Sequence, residues 1–170
     1  MRARRGRSVG EVVGLFIAPE AGAPMRAVPE VEAVAGRGLR GDRYFRREGT
    51  FSRRPDAEQQ VTLFEVEVLE ELEREVGLRL APAETRRNVL TRGVPLPTLV
   101  GRVFRVGEAR LEGVRICEPC KHLMRLAGLD ERALPALIHR AGLRARVVRS
   151  GRIRVGDVVE PIPRDLQGDP

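Results

Sequence analysis

Six consecutive residues hold the densest chemistry of the chain: Cys117-Glu118-Pro119-Cys120-Lys121-His122. Both cysteines lie here, with the only lysine and one of the two histidines. A thiol does chemistry as the thiolate. A neighbouring cation, a helix N-terminus or a metal lowers its pKa toward neutrality. Lys121 follows Cys120 directly, and an apolar helical pattern begins after it. Cys120 is therefore the candidate working thiol, with Lys121 as its activating cation. Cys117 fits a resolving thiol, a persulfide relay or a buried small residue. His122 either faces the same pocket or caps the following helix, and His139, set among aliphatics, reads as structural or exposed.

Three chemistries use such a pair. Cys-x-Pro-Cys between a strand and a helix exchanges disulfides, but no strand–helix–strand unit precedes it. A zinc site would need Cys117, Cys120, His122 and His139 together, and the histidines lack the spacing of a zinc finger. A single working thiol with a helper is the third.

Two other segments could face a ligand. Gly36-Arg37-Gly38-Leu39-Arg40-Gly41 is a glycine-rich loop that allows close backbone approach and ends in Asp42-Arg43, a carboxylate and a guanidinium side by side. It opens no helix, so it argues little for dinucleotide binding. Arg86-Arg87-Asn88 is a polar knot at the head of an apolar stretch. Paired arginines bind phosphate bidentately, and asparagine adds a donor and an acceptor. Taken alone, Asp42-Arg43 reads better as a salt-bridged turn, and a surface turn is the plain reading of Arg86-Arg87-Asn88.

The elements around these residues are mostly short strands. Val9–Ala18 and Val31–Ala35 read as strands, and 46–59 as an exposed charged loop. Leu99–Val106 and Glu108–Ile116 form two strands joined at Gly107, and two more flank Ser150-Gly151 before a turn at Gly156-Asp157 and a closing strand. Thr62 and Glu65 carry a capping-box signature. A helix is predicted over 62–76, with Phe64, Val68, Leu72 and Val76 on its buried face and Gly77 as its stop. Lys121–Ala127 and Asp130–Ala141 are predicted helical, the latter with Leu134, Leu137, Ile138 and Ala141 on its apolar side. The fold class is α+β, mostly β: a mixed or antiparallel β-barrel core with a few helices. Residues 1–8 form a flexible basic arm, 9–162 a single domain and 163–170 a C-terminal tail.

Composition narrows the partners. The 170 residues carry 31 basic and 24 acidic side chains, a net charge of +7. Six glutamates and one arginine fall within 62–76, so the rest of the chain is more basic still. One tyrosine and no tryptophan leave no stacking platform for nucleic acid, and no DNA-binding motif is present. An anionic small molecule suits the arginines better. No apolar run reaches the roughly 20 residues that span a bilayer, and no long apolar stretch follows the N-terminal arginines. A cytoplasmic location is expected.

The ordered set GLRGDRY, QVTLFE, RRNVLTRGV, LVGRVFRVGEARLEGVRICEPC and GLRARVVRSGRIRVGD resembles the MOSC domain family. These domains end the molybdenum-cofactor sulfurases and also stand alone in bacteria. The resemblance covers about residues 9–162 and implies a β-barrel-rich fold with an open pocket and one key cysteine, here Cys120. It implies that this thiolate ligates molybdenum in the molybdenum cofactor (molybdopterin), or carries sulfur as a persulfide. It also implies that Asp42, Arg43, Arg87 and Asn88 line the pocket. Pyridoxal phosphate is not expected on this chain, because it shows no stretch for a desulfurase domain. Sulfur transfer or reduction of N-hydroxylated compounds would then draw on a separate sulfur or electron donor protein. A non-catalytic cofactor carrier and a Cys-x-x-Cys thiol oxidoreductase are the alternatives.

Overall fold

In a computed structural model, residues 9–45, 60–119, 125 and 134–167 are described. Among these residues, eleven strands form two sheets: β1 Gly10–Ile17, β2 Arg26–Ala27, β3 Glu30–Val34, β4 Gly38–Leu39, β5 Val61–Glu65, β6 Val89–Arg92, β7 Val103–Val106, β8 Ala109–Ile116, β9 Leu143–Arg149, β10 Gly151–Arg154 and β11 Val158–Pro161. The larger sheet runs β11-β7-β8-β9-β5-β6-β1, with β2 on its edge, and pairing of β1 with β11 closes it into a seven-stranded barrel. Closure leaves those seven strands no unpaired edge, which removes the usual site of edge-to-edge aggregation. The smaller sheet is β10-β3-β4.

Among the described strands every strand–strand pairing is antiparallel except β5 with β6. A parallel pair needs a long crossover. Here helix α1, Val66–Val76, and a short 3-10 turn at Pro82–Thr85 supply it. The mostly antiparallel barrel expected from the short strands is therefore the fold.

The interior follows from strand alternation. β9 buries Leu143, Ala145 and Val147, and β8 buries Ala109 and Leu111. These residues, with Phe104, Val106, Leu63 and Val89, fill the barrel. A second apolar cluster forms on the outer face, where Val68, Leu69 and Leu72 of α1 pack with Phe64, Leu90, Leu137, Ala141 and Cys117. Each such aliphatic side chain contributes roughly 1.5–3 kcal/mol when fully buried.

Several sequence expectations need correction. The helix begins at Val66, not at residue 62, and Glu65 caps it without a side-chain hydrogen bond. The Thr62–Glu65 capping box does not form, because both residues belong to β5. Phe64 is buried from the strand, and Val76, expected on the buried face, is 51% exposed at the helix end. Gly77 does end the helix, at φ 70°. The second described helix, α2, is short, Leu134–Leu137. Ile138, expected on the apolar side, is exposed, and His139 is left-handed at φ 62°. A helix cannot continue through that conformation. The region expected at 46–59, most of the helix at 121–127 and the start of the one at 130–141 lie outside the described residues, as do the 1–8 arm and the last three residues.

Candidate functional site

One cross-strand row organises the candidate residues. Ile116 of β8 opposes Leu143 of β9, Leu143 opposes Leu63 of β5, Leu63 opposes Val89 of β6, and Val89 opposes Leu15 of β1. Residues next in sequence to this row point to the other side of the sheet. Cys117, Thr62, Phe64, Asn88 and Leu90 are such neighbours. The outer face of five strands thus carries an apolar half around Phe64 and Cys117 and a polar half around Thr62 and Asn88.

Asn88 is fully buried and joins three strands. Its Oδ1 accepts hydrogen bonds from the backbone N–H and the hydroxyl of Thr62, at 3.1 and 3.0 Å. Its Nδ2 donates to the Phe16 carbonyl at 3.1 Å. A buried side chain so satisfied resists removal, since each orphaned partner would cost about 1–3 kcal/mol. Asn88 therefore stitches β1, β5 and β6 together beneath the other candidates.

Asp42 and Arg43 lie beside the end of β1. Asp42 is 1% exposed. Its Oδ1 accepts from the Ala18 N–H at 3.0 Å and from Arg43 at 3.2 Å, and its Oδ2 accepts from the Tyr44 N–H. The Arg43 guanidinium stacks on the Tyr44 ring at 4.3 Å and donates to the Met25 sulfur and to the Arg86 carbonyl. Arg86 is 8% exposed and sits at φ 60°, a left-handed conformation uncommon outside glycine. Its guanidinium donates to the Ala23 carbonyl. Burial, followed by the like charge of Arg43, pulls Arg86 below the ordinary arginine pKa. Two buried guanidiniums thus lie in one cluster with one described carboxylate, Asp42, which pairs with Arg43.

Arg87 points the other way along the sheet. Its Nε donates to the Ala141 carbonyl at 2.9 Å, and its backbone N–H donates to the Thr85 hydroxyl. The adjoining Gly142 carbonyl accepts from the Cys117 N–H at 2.7 Å. Gly142 has φ 106°, and a Cβ there would stand 2.3 Å from the Leu63 carbonyl oxygen and 3.3 Å from Arg87 Nε. Only glycine fits this crossing. A contact path therefore runs from Asp42 and Arg43 through Arg86 and Arg87 to the 141–142 turn and the start of the cysteine segment.

Cys117 itself is 1% exposed and belongs to the outer apolar cluster. Glu118 is exposed and binds His139 twice. Its carboxylate accepts from the His139 backbone N–H at 3.0 Å and meets the ring Nδ1 at 2.7 Å. The backbone hydrogen bond from His139 holds the Glu118 carboxyl below the ordinary carboxylate value. Cys120, Lys121 and His122 lie outside the described residues. Among the described residues no group of three or more His, Cys, Asp or Glu side chains is arranged to hold a metal. A shallow depression beside Gly10, Arg92, Gly93 and Val158 contains none of the candidate residues.

Sequence reasoning undervalued Arg86, Thr62 and Thr85. Thr62 read as a helix cap, and no local signal ties it to Asn88, 26 positions away. The adjacent arginines were the available signal for Arg86, and they equally described a surface turn.

The model of the MOSC domain matches residues 35–160. No curated protein matches the chain. Among solved structures, the YuaD protein of Bacillus subtilis superposes with a TM-score of 0.74 at 21% identity, covering 92% of this chain and 97% of that one. YiiM from Geobacillus stearothermophilus gives a TM-score of 0.68 at 15% identity, covering 93% of this chain and 77% of that one. YiiM from Escherichia coli gives 0.61 at 20% identity, covering 93% and 70%. At these identities the three share the fold. No described helix is long and apolar enough to cross a membrane.

Proposed function

The chain belongs to the MOSC domain family, and from that premise we propose that it binds the molybdenum cofactor, or a related anionic pterin or sulfur ligand, beside Arg43, Arg86 and Arg87. The observation that carries this reading is the charge imbalance: among the described residues, Arg43 pairs with the buried carboxylate of Asp42, while the neighbouring buried guanidinium of Arg86 donates to the Ala23 carbonyl and has no ion pair of its own. Taking a charge out of water costs several kcal/mol unless it is paired. An anion restores the balance, and the pterin cofactor carries both a phosphate and an anionic oxo-metal centre. The residues present therefore fit the group.

In this reading Arg86 and Arg43 bind the anionic part, and Asp42 and Asn88 hold the two segments in register. Arg87 links them to the turn against which the cysteine segment rests. Cys120 supplies the soft thiolate that molybdenum favours, with Lys121 stabilising its anionic form. When bound, the molybdenum centre supplies a two-electron redox couple. Reduction of an N-hydroxylated compound consumes two electrons and two protons and releases water, and a separate donor protein provides the electrons. In the sulfur-transfer form, the Cys120 thiolate takes a sulfane sulfur from a donor persulfide, and the donor thiolate leaves. The burial of Cys117 among aliphatic side chains supports a one-thiol site over a dithiol exchanger.

The test is metal and pterin analysis of protein purified from a molybdenum-competent host. Wild-type protein retains both. Cys120→Ala loses them, and Cys117→Ala keeps a large part. Absence of molybdenum and pterin from the wild type, with both cysteines needed for disulfide turnover, replaces this reading with a thiol oxidoreductase.

A further inference from the structure

We infer that Glu118 and His139 are positioning residues that fix where the cysteine segment leaves the barrel. The segment is tied at three points to one turn. The Cys117 N–H donates to the Gly142 carbonyl, and both oxygens of Glu118 engage His139, one at the backbone N–H and one at the ring. Both arms of the Glu118 clasp use the left-handed conformation of His139, at φ 62°. A non-glycine residue persists in that conformation only where its surroundings hold it there.

The same turn is anchored from two further sides. Arg87 donates to the Ala141 carbonyl, and Arg140 pairs with Glu71 of α1. The backbone at Gly142 is pressed against the Leu63 carbonyl oxygen, leaving no space for a side chain. The turn is thus a fixed bracket between β5, α1 and Arg87. Glu118 lies between the two cysteines and grips it. An exposed ion pair contributes little to global stability, so the clasp acts locally, on the part of the chain that carries Cys120.

The inference rests on the proposed ligand reading only for why the thiol's position matters. Its test needs no cofactor. In ligand-free protein carrying Cys117→Ala, iodoacetamide reports the reactivity of Cys120 alone. Glu118→Ala and His139→Ala are expected to raise the alkylation rate at least fivefold, and amide exchange across 118–122 about tenfold, with β5, β8 and β9 unchanged. His139→Asn tolerates the left-handed conformation and offers a side-chain donor to Glu118, so it should return the rate to within twofold of the parent. Glu118→Gln, which keeps one acceptor at nearly constant volume, should lie between and serves if the alanine variants fail to fold. The double variant should match Glu118→Ala, because that change alone removes both contacts, whereas His139→Ala removes only the ring contact. Rates within twofold of the parent in both alanine variants overturn the inference, and so does failure of His139→Asn to restore the rate. Molybdenum-free wild-type protein with a clasp-dependent alkylation rate would sink the ligand reading and leave this one standing.

Discussion

Two clusters of charge in this protein contrast in burial and in balance. One joins Glu30 of β3, Glu108 of the β7–β8 turn, and Arg152 and Arg154 of β10. It has two acids and two arginines, all about half exposed. The other joins Asp42, Arg43 and Arg86, all at least nine-tenths buried, with two arginines to one acid among the described residues. The first arrangement is what solvent permits at low cost, and its pairs contribute little. The second is costly to build, and its hydrogen bonds tie the 42–44 segment to the end of β1 and to Arg86. The ligand reading rests on this contrast, between charge that is exposed and balanced and charge that is buried and, among the described residues, unevenly paired.

The largest expected effect comes from removing the one acid of the buried cluster. Asp42→Asn leaves the buried Arg43 guanidinium without its ion-pair partner and should destabilise the fold by about 3–5 kcal/mol, as breaking buried pairs does. Urea unfolding measures it, and a loss under about 1 kcal/mol would show that the cluster is not held by its charges. Arg86→Met sharpens the comparison in the other direction. It removes the excess cation while keeping the side chain's bulk and the same backbone strain. Stability of the ligand-free protein should change by less than about 1 kcal/mol, or rise, whereas molybdenum retained on purification should fall at least tenfold. If retention is unaffected, the imbalance has no bearing on binding.

The exposed cluster should respond least, and with a definite sign in pH. The backbone N–H of Arg152, then the Arg154 side chain, hold the Glu108 carboxyl below its ordinary value of 4.5. Its folded-state pKa is depressed, so its contribution is present at neutral pH and is lost as the pH falls through the folded value. Thermal midpoints of wild type and Glu108→Gln should differ slightly at pH 7 in low salt and converge in strong acid. They should also converge at neutral pH in 1 M salt, where screening reaches about 3 Å. A difference that survives 1 M salt would place Glu108 in a structural role like that of Asp42.

The barrel strands were legible because alternation is local: the inward residues of β8 and β9 can be counted off the sequence. The start of α1 was not, because Thr62-x-x-Glu65 satisfies a capping rule that is equally local, while the partner that claims Thr62 is Asn88 across a parallel pairing. The same limit applies at the site. Asp42-Arg43 and Arg86-Arg87-Asn88 stood out as polar segments, but their burial and their meeting depend on β1 lying beside β6. His139 read as structural or exposed, and the structure has it exposed yet doubly bound to Glu118. No spacing rule anticipates that contact, since it joins two turns 21 residues apart.

The closing pair of the barrel has a consequence for synthesis. Gly10 of β1 opposes Val159 of β11, so the ring is completed by strands from almost opposite ends of the sequence. A chain made from its N-terminus carries β1 with one edge open until β11 has been translated and released. Contacts of such long sequence separation also slow folding, because the loop entropy is lost before the pairing compensates for it. The growing chain therefore passes through an open, adhesive sheet. A holding chaperone, or a polysome arrangement that keeps nascent chains apart, would protect it during that interval.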